Sequence, residues 1–456
     1  MNAVPPHNTV PSTPDLTQAL LADHPLNYVR EEGAKPERAA PARYQYTPST
    51  WQLRKFLLDD FRTVNDSLPS IDENYSARLF DAAWEGDPLM DAVVEMFNRL
   101  PSGKGRKMFL QAIDHGIDSL DNPPQELLDL FAQLDHIPEW LDWDKVNDGV
   151  MMLDKASYLG IMLGVTLGSL ATAGSHSISN AVGMTGRFQK NIVNRSLESV
   201  AFYAQTGCKD GLRRYGPGFK AAVNVRLMHA MVRAKMIKST EGDLFDYATY
   251  GNPMNQVDTA FGIPFFGLQI GLCERVFGHP VTDRDLEGLR MQWTYIGYLM
   301  GVRNDIVPRS TEQNFYLLDM CWATLGEPSR FTYDLYDALF LGFEEAFTRY
   351  HRDRAWKRLA GRFAFDLLHA YSRYMLGNPL CDEMRAVRKV YYLRWLPTVH
   401  ASLNKLVHAL RFKGQKPYKG KFTPDGGALM IMVKALLQPS GEEGAITYAH
   451  HDNLTR

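Results

Sequence analysis

Cysteine is scarce: the 456 residues contain four, Cys208, Cys273, Cys321 and Cys381, with no Cys-x-x-Cys and no Cys/His cluster. This excludes a disulfide framework and a structural zinc site, and fits reduced, buried thiols. An excess of charge of one sign is also missing. The formal net charge is −2, so the overall balance supplies no electrostatic reason to expect nucleic acid or an anionic membrane as partner. No stretch alternates polar and apolar residues, no glycine loop follows a strand-like run, and no internal repeat is visible. Sheet-based folds, phosphate-cradling nucleotide sites and solenoids are therefore not expected. The opening stretch, MNAVPPHNTVPSTPDL, lacks the basic and apolar regions of a secretory signal, and a cytoplasmic location is expected. Long hydrophobic runs are nearly absent. The segment from Ala156 to Gly186 has no charged residue, but its apolar stretch, Tyr158–Gly174, has 17 residues and is rich in Gly, Ser and Thr. That is the short limit for a span, so the expectation is a buried central helix and no integral membrane span.

What is present is helical periodicity. Residues 1–48 are rich in Pro, Ala and polar residues and read as an irregular arm. From Ser49 apolar residues recur at helical spacing, beginning with Trp51, Leu53, Phe56, Leu57 and Phe61. The pattern continues to about residue 438, and 439–456 form a polar tail. One or two helices should cover Val146 to Thr172. One should run from Gln256 to Val276 with an interruption near Gly262-Ile-Pro264, and another from Thr282 to Ile306, stopped by Pro308. A further helix should start at Pro379, pass Trp395, and kink at Pro397 before Leu410. Lys413 to Gly426 is a basic connector, and Leu429 to Leu437 a last short helix. The fold class is all-α, a single large helical domain able to enclose a cofactor.

The most informative stretch is Val223 to Arg233. Arg226, His229 and Arg233 stand at i, i+3 and i+7, on one stripe of a helix that is apolar nearly all round and so should be buried. Two buried guanidinium groups are costly unless anions meet them. One reading is a core histidine flanked by arginines paired with carboxylates elsewhere. The other is a flat anionic cofactor: heme, with His229 on the iron and Arg226 and Arg233 on the propionates. A second polar stripe precedes it, with Arg187, Asn191, Asn194 and Glu198 at i, i+4, i+7 and i+11 and Lys190 on its shoulder. A solvated face explains that spacing. Its position between two apolar helices also allows it to face the interior, on the open side of a heme.

The two stretches together resemble the family of heme-dependent oxygenases that includes the rubber oxygenases (latex clearing protein) and the MpaB-type oxygenases. The family pattern of Arg-x-x-Lys-Thr followed by Arg-x-x-His-x-x-x-Arg stands here as Arg187-Phe-Gln-Lys190-Asn191 and Arg226-Leu-Met-His229-Ala-Met-Val-Arg233. Pro138-Glu-Trp140-Leu-Asp-Trp143, Asn255-Gln256-Val-Asp258 and Ile296-Gly-Tyr-Leu-Met-Gly301-Val302, followed by Pro308, also resemble family signatures. The resemblance implies a globin-like helical fold around heme b. It makes His229 the axial ligand of the iron, its other ring nitrogen needing a carbonyl or carboxylate partner. Arg226 and Arg233 would serve the helix and the propionates, and Arg187, Lys190 and Asn191 would be catalytic on the distal side. The implied chemistry is O2-dependent cleavage of a carbon–carbon double bond in an apolar, isoprenoid-like substrate. This chain departs from the family in having Asn191 for Thr and no acid between Ala156 and Gly186. A small unsaturated lipid or terpenoid is favoured over polyisoprene as substrate. A non-catalytic heme carrier or sensor, and a metal-free helical ligand-binding protein, are the alternatives. His176, inside the uncharged run, is a further distal-side candidate beside its reading as a hydrogen-bonded loop histidine.

Overall fold

The structure is a computed structural model that describes residues 40–45, 51–64, 73–184, 201–238, 245–349 and 355–411. Within these residues the chain forms helices and no strand. A 3-10 turn at Ala42–Gln45 precedes α1 (Trp51–Val64), α2 (Glu73–Ala82), α3 (Pro88–Arg99), α4 (Lys104–His115) and α5 (Gln125–Asp135). The middle of the chain supplies α6 (Trp143–Lys155), α7 (Tyr158–Gly174), α8 (His176–Met184), α9 (Pro217–Lys238) and the single turn α10 (Tyr247–Tyr250). Then follow α11 (Gln256–Phe266), α12 (Leu268–Val276), α13 (Asp283–Leu299), α14 (Thr311–Ala323), α15 (Arg330–Arg349), α16 (Ala355–Leu376), α17 (Asn378–Met384) and α18 (Leu396–Arg411). The expected all-α single domain is what the chain builds.

The centre is α13. Every residue from Gly288 to Leu299 is buried, and the helix packs against α6, α9, α11, α12 and α14. Its contact with α6 is backbone to backbone: a Cβ on Gly149 would lie 2.4 Å from the Gly288 carbonyl oxygen. The start is specified locally, because Thr282 and Asp285 form a reciprocal capping box. The end comes earlier than Ile306. Met300 caps the helix and Gly301 turns away at φ 86°, a left-handed conformation that a side chain resists.

The uncharged run becomes α7. It is bent by 110° from α6 at the Ala156–Ser157 break, where Ser157 caps the Gly160 amide at 2.9 Å. Among the described residues no single helix is long and apolar enough to cross a membrane. The small residues serve packing: Gly160 and Gly164 admit Glu274 and Ile270 of α12, which a Cβ would meet at 1.6 and 2.5 Å. Glu274 is buried there, accepting from the Ser157 amide and hydroxyl at 3.0 and 2.6 Å. Burial pushes its carboxyl above the usual range, against the pull of those two bonds.

Two expectations need correction. The break between α11 and α12 falls at Gly267, and Pro264 lies inside α11. Gly267 is where the chain must yield, since a Cβ there would meet Trp293 of α13 at 2.4 Å. The expected helix from Pro379 past Trp395 is two helices. Arg385 leaves the helical region at φ 60°, and the chain reaches α18 through the 3-10 turn Tyr391–Leu393. The expected elements at 413–426 and 429–437 lie outside the described residues.

Candidate active site

The His229 stripe is on α9, which packs on α3, α8 and α13. Both arginines are buried, and both meet carboxylates of α3. Arg226 donates through Nε and Nη2 to the two oxygens of Asp87 at 2.5 and 2.9 Å, and through Nη1 to Gln133 at 2.6 Å. Arg233 donates to Asp91 from Nε at 3.0 Å and Nη2 at 2.6 Å, and from Nη1 to the Met254 carbonyl at 2.7 Å. The anions expected from a cofactor's propionates are thus supplied by the protein. Sequence reasoning missed Asp87 and Asp91. The available signal was Asp87 before Pro88, which marks a helix cap and says nothing of a remote partner.

Asp87 has two tasks. Its Oδ1 accepts from the Met90 amide, capping α3, while both oxygens hold Arg226. Asp91 in turn accepts from the Asp87 amide at 3.1 Å. Two glycines leave room for the pairs: a Cβ on Gly301 would lie 2.5 Å from both Arg226 Nε and Asp87 Oδ2, and one on Gly86 would lie 2.5 Å from Arg233 Nε. Gln256 joins these glycines, donating to the Gly86 carbonyl at 2.7 Å and the Gly301 carbonyl at 3.0 Å. Its own oxygen accepts from the Arg303 amide at 2.9 Å.

His229 stands between the two anchored arginines. Its Nδ1 is buried without a hydrogen-bond partner, so the carbonyl or carboxylate expected to set its tautomer is not among the described residues. Burial, followed by the Arg233 charge, pushes its pKa down to about 4, against a smaller opposing effect of Asp87. The imidazole is therefore neutral at physiological pH, the form that ligates a metal. No group of three or more His, Cys, Asp or Glu side chains able to hold a bare ion is found among the described residues. The Nδ1 atoms of His176, His400 and His408 are also buried without a hydrogen-bond partner; an imidazole with no further metal-ligating side chain beside it suits a group that brings its other donors with it, as a porphyrin does. The residues present fit heme in that respect.

Arg187, Lys190 and Asn191 lie outside the described residues. His176 is buried, with its ring edge-on to Tyr250 at 6.1 Å between centroids. Burial and the Arg43 charge push its pKa down to about 3. Around it is an ionic network. Arg43 donates to Asp258 Oδ1 at 2.8 Å, and Ser175 and Ser177 donate to the same carboxylate at 3.2 and 2.5 Å. Asp258 is thus the acid that reaches the end of the acid-free run, from α11. The other signature segments brace α13. Trp140 donates to Asn304 at 2.9 Å and meets Tyr298 edge-on, and Arg213 lies 3.7 Å over Trp143. The Pro308 carbonyl accepts from Arg290 at 2.9 Å.

These features define an all-α protein that carries a neutral histidine, His229, on a salt-bridged helix. Residues 143–412, more than half of the chain, match the family described as "ER-bound oxygenase mpaB/B'/Rubber oxygenase, catalytic domain". The chain belongs to that family. A solved structure of latex clearing protein in the closed state is similar at TM-score 0.60 and 18% identity, covering 81% of this chain and 95% of that one. At that identity the likeness concerns the fold. No curated protein matches the chain.

Two outcomes follow. Asp87→Asn strands Arg226 in a buried site and should lower the unfolding free energy by about 3–5 kcal/mol, as breaking a buried pair does. Asp91→Asn should cost less, because the Asp91 side chain is 35% exposed against 10% for Asp87. Chemical denaturation of the two variants checks the order, and equal or negligible losses contradict it. The second concerns pH. His229 at about 4 and His176 at about 3 lie below the ordinary 6.5, so the unfolded chain binds more protons between those values. Stability should be full above pH 6.5 and fall as pH drops toward 4, less steeply in His229→Gln. A flat denaturation midpoint across that window contradicts the depressed pKa values of the two histidines.

Proposed function

We propose that this chain is a heme b-dependent oxygenase that uses O2 to cleave a carbon–carbon double bond in a small apolar, unsaturated substrate of isoprenoid-like or lipid character. The observation that carries the reading is His229: a neutral, half-buried imidazole whose Nδ1 is unengaged, on a helix anchored at both flanking arginines, within a chain of the rubber oxygenase and mpaB family. Heme, when bound, supplies the redox chemistry that activates O2. The chain's own residues supply the rest. His229 would hold the heme iron through a ring nitrogen. Arg226 and Arg233, held by Asp87 and Asp91, keep its helix in place. Arg187 and Lys190 are proposed to bring positive charge to the substrate side, and Asn191 a hydrogen-bond donor, where they stabilise negative charge that develops during the reaction.

The purified chain should give a pyridine-hemochrome spectrum of heme b at about one heme per chain by the single-ligand assignment. Incubated with O2 and a panel of unsaturated lipids and terpenoids, it should release carbonyl products. Absence of heme even after reconstitution overturns the reading. Heme without carbonyl products from any alkene favours the carrier or sensor instead.

A further inference from the structure

The last described helix is held to the protein by its polar side. Leu403, Leu406 and Leu410 of α18 are exposed, and the stripe turned inward carries Pro397, His400, Ala401, Asn404 and His408. These stand at i, i+3, i+4, i+7 and i+11, along one side of a helix. Their seat is the turn after α12, residues 277–279, with α16 beside it. His400 stacks on Phe277 at 5.7 Å and meets Tyr371 of α16 edge-on at 5.8 Å. His279 lies 6.1 Å from His400 and 6.4 Å from His408 between ring centroids. The backbones approach closely, since a Cβ on Gly278 would lie 2.8 Å from the Lys405 amide nitrogen. Most of the inward side chains are polar, so the attachment of α18 depends on how the imidazoles and the amide meet.

They meet at Asn404. Its side-chain nitrogen donates to the Phe277 carbonyl at 3.0 Å and lies 2.9 Å from Nε2 of His400 and 3.4 Å from Nε2 of His279. A carbonyl only accepts, so the amide must turn its NH2 group toward all three atoms. Both rings then accept at Nε2, which makes each of them neutral with its proton on Nδ1. Protonation of either ring sets an N–H against that NH2 group. Rotating the amide to offer its oxygen instead sets the oxygen against the Phe277 carbonyl. No orientation of Asn404 satisfies a charged ring and the carbonyl together. The other groups facing the cluster do not offset this. From α12, Glu274 brings Oε2 to 3.9 Å from His279 Nδ1, beyond hydrogen-bond reach, while its other oxygen is held by Ser157. Arg275 of α12 is paired with Asp283 at 2.7 Å. From α16, Tyr371 and Tyr374 have phenols that burial keeps neutral. From α18 itself come His408 and the like charge of Lys405. Burial pushes His279 and His400 below the ordinary 6.5, and the neighbouring His279 lowers His400 further.

We infer that His279, His400 and Asn404 form a pH-operated latch, which holds α18 on the turn after α12 while both rings are neutral and frees it when either takes a proton. Freed rings titrate near 6.5 and docked ones lower. Docking is therefore full above that pH and weakens below it, by up to about tenfold per pH unit for each ring. The test is amide hydrogen exchange of the full-length chain from about pH 5 to 8, the range in which histidine changes charge, corrected for the intrinsic exchange rate at each pH. Protection of α18 should fall as the pH drops below 6.5, at a higher pH than any loss in α9. In the double variant His279→Gln with His400→Gln, the side-chain oxygens accept from Asn404 without titrating, and α18 should stay protected throughout. In Asn404→Asp the carboxylate favours charged rings, and the dependence should reverse, with protection rising as the pH falls. Protection of α18 that is independent of pH, or that is lost in parallel with α9, overturns the inference in the unsubstituted chain alone. A loss that persists unchanged in the double variant overturns it as well.

Discussion

The arrangement around the site depends on two buried ion pairs, Arg226 with Asp87 and Arg233 with Asp91. Desolvating a guanidinium and a carboxylate costs several kcal/mol per ion, and the mutual attraction offsets this only with good geometry and further hydrogen bonds. Both conditions are met. Arg226 is bidentate on Asp87 and donates its remaining group to Gln133, while Arg233 adds the Met254 carbonyl. Such pairs add little net stability over an apolar contact, but they are expensive to break singly. They therefore act as a register device. α9 docks on α3 in the position that satisfies both, and His229 is carried to its place between them.

Other constraints are consequences of this one. The pairs need space, which Gly86 and Gly301 provide, and Gln256 then ties those two peptides together. The left-handed turn at Gly301 ends α13, so the length of the central helix is set by a salt bridge on a different helix. The first turn of α11 extends the same arrangement, with Asp258 holding Arg43 and the serines Ser175 and Ser177 at the start of α8. The signature segments around residues 138–143, 255–258 and 296–308 are thus the frame that carries the histidine. Within the described residues, that frame leaves the Nδ1 of His229 and of His176 without a hydrogen-bond partner.

Much of this was legible in the sequence because it is local. Caps at Asp87-Pro88 and Thr282, the apolar periodicity and the uncharged run give most helices directly. Arg226, His229 and Arg233 stand out because helical spacing puts them on one face. Their partners did not, because Asp87 and Asp91 lie 139 and 142 residues away in the chain, and nothing local distinguishes them from ordinary first-turn acids. The sequence left open whether remote carboxylates or a cofactor's propionates meet the arginines, and the structure supplies the carboxylates. The long helix expected from Pro379 failed for a related reason. The outward apolar face of α18 supplies helical periodicity without a core to pack on, so periodicity alone does not reveal the turn at Arg385.

Binding of heme iron by His229 is the role proposed for the anchored helix. Its most direct measurement is the spectrum of heme-loaded His229→Gly, with and without added imidazole, by electron paramagnetic resonance and optical absorption. The assignment predicts that the substitution removes the signature of an axial nitrogen and that free imidazole restores it, with folding retained. A heme spectrum identical to that of the unsubstituted chain would contradict it.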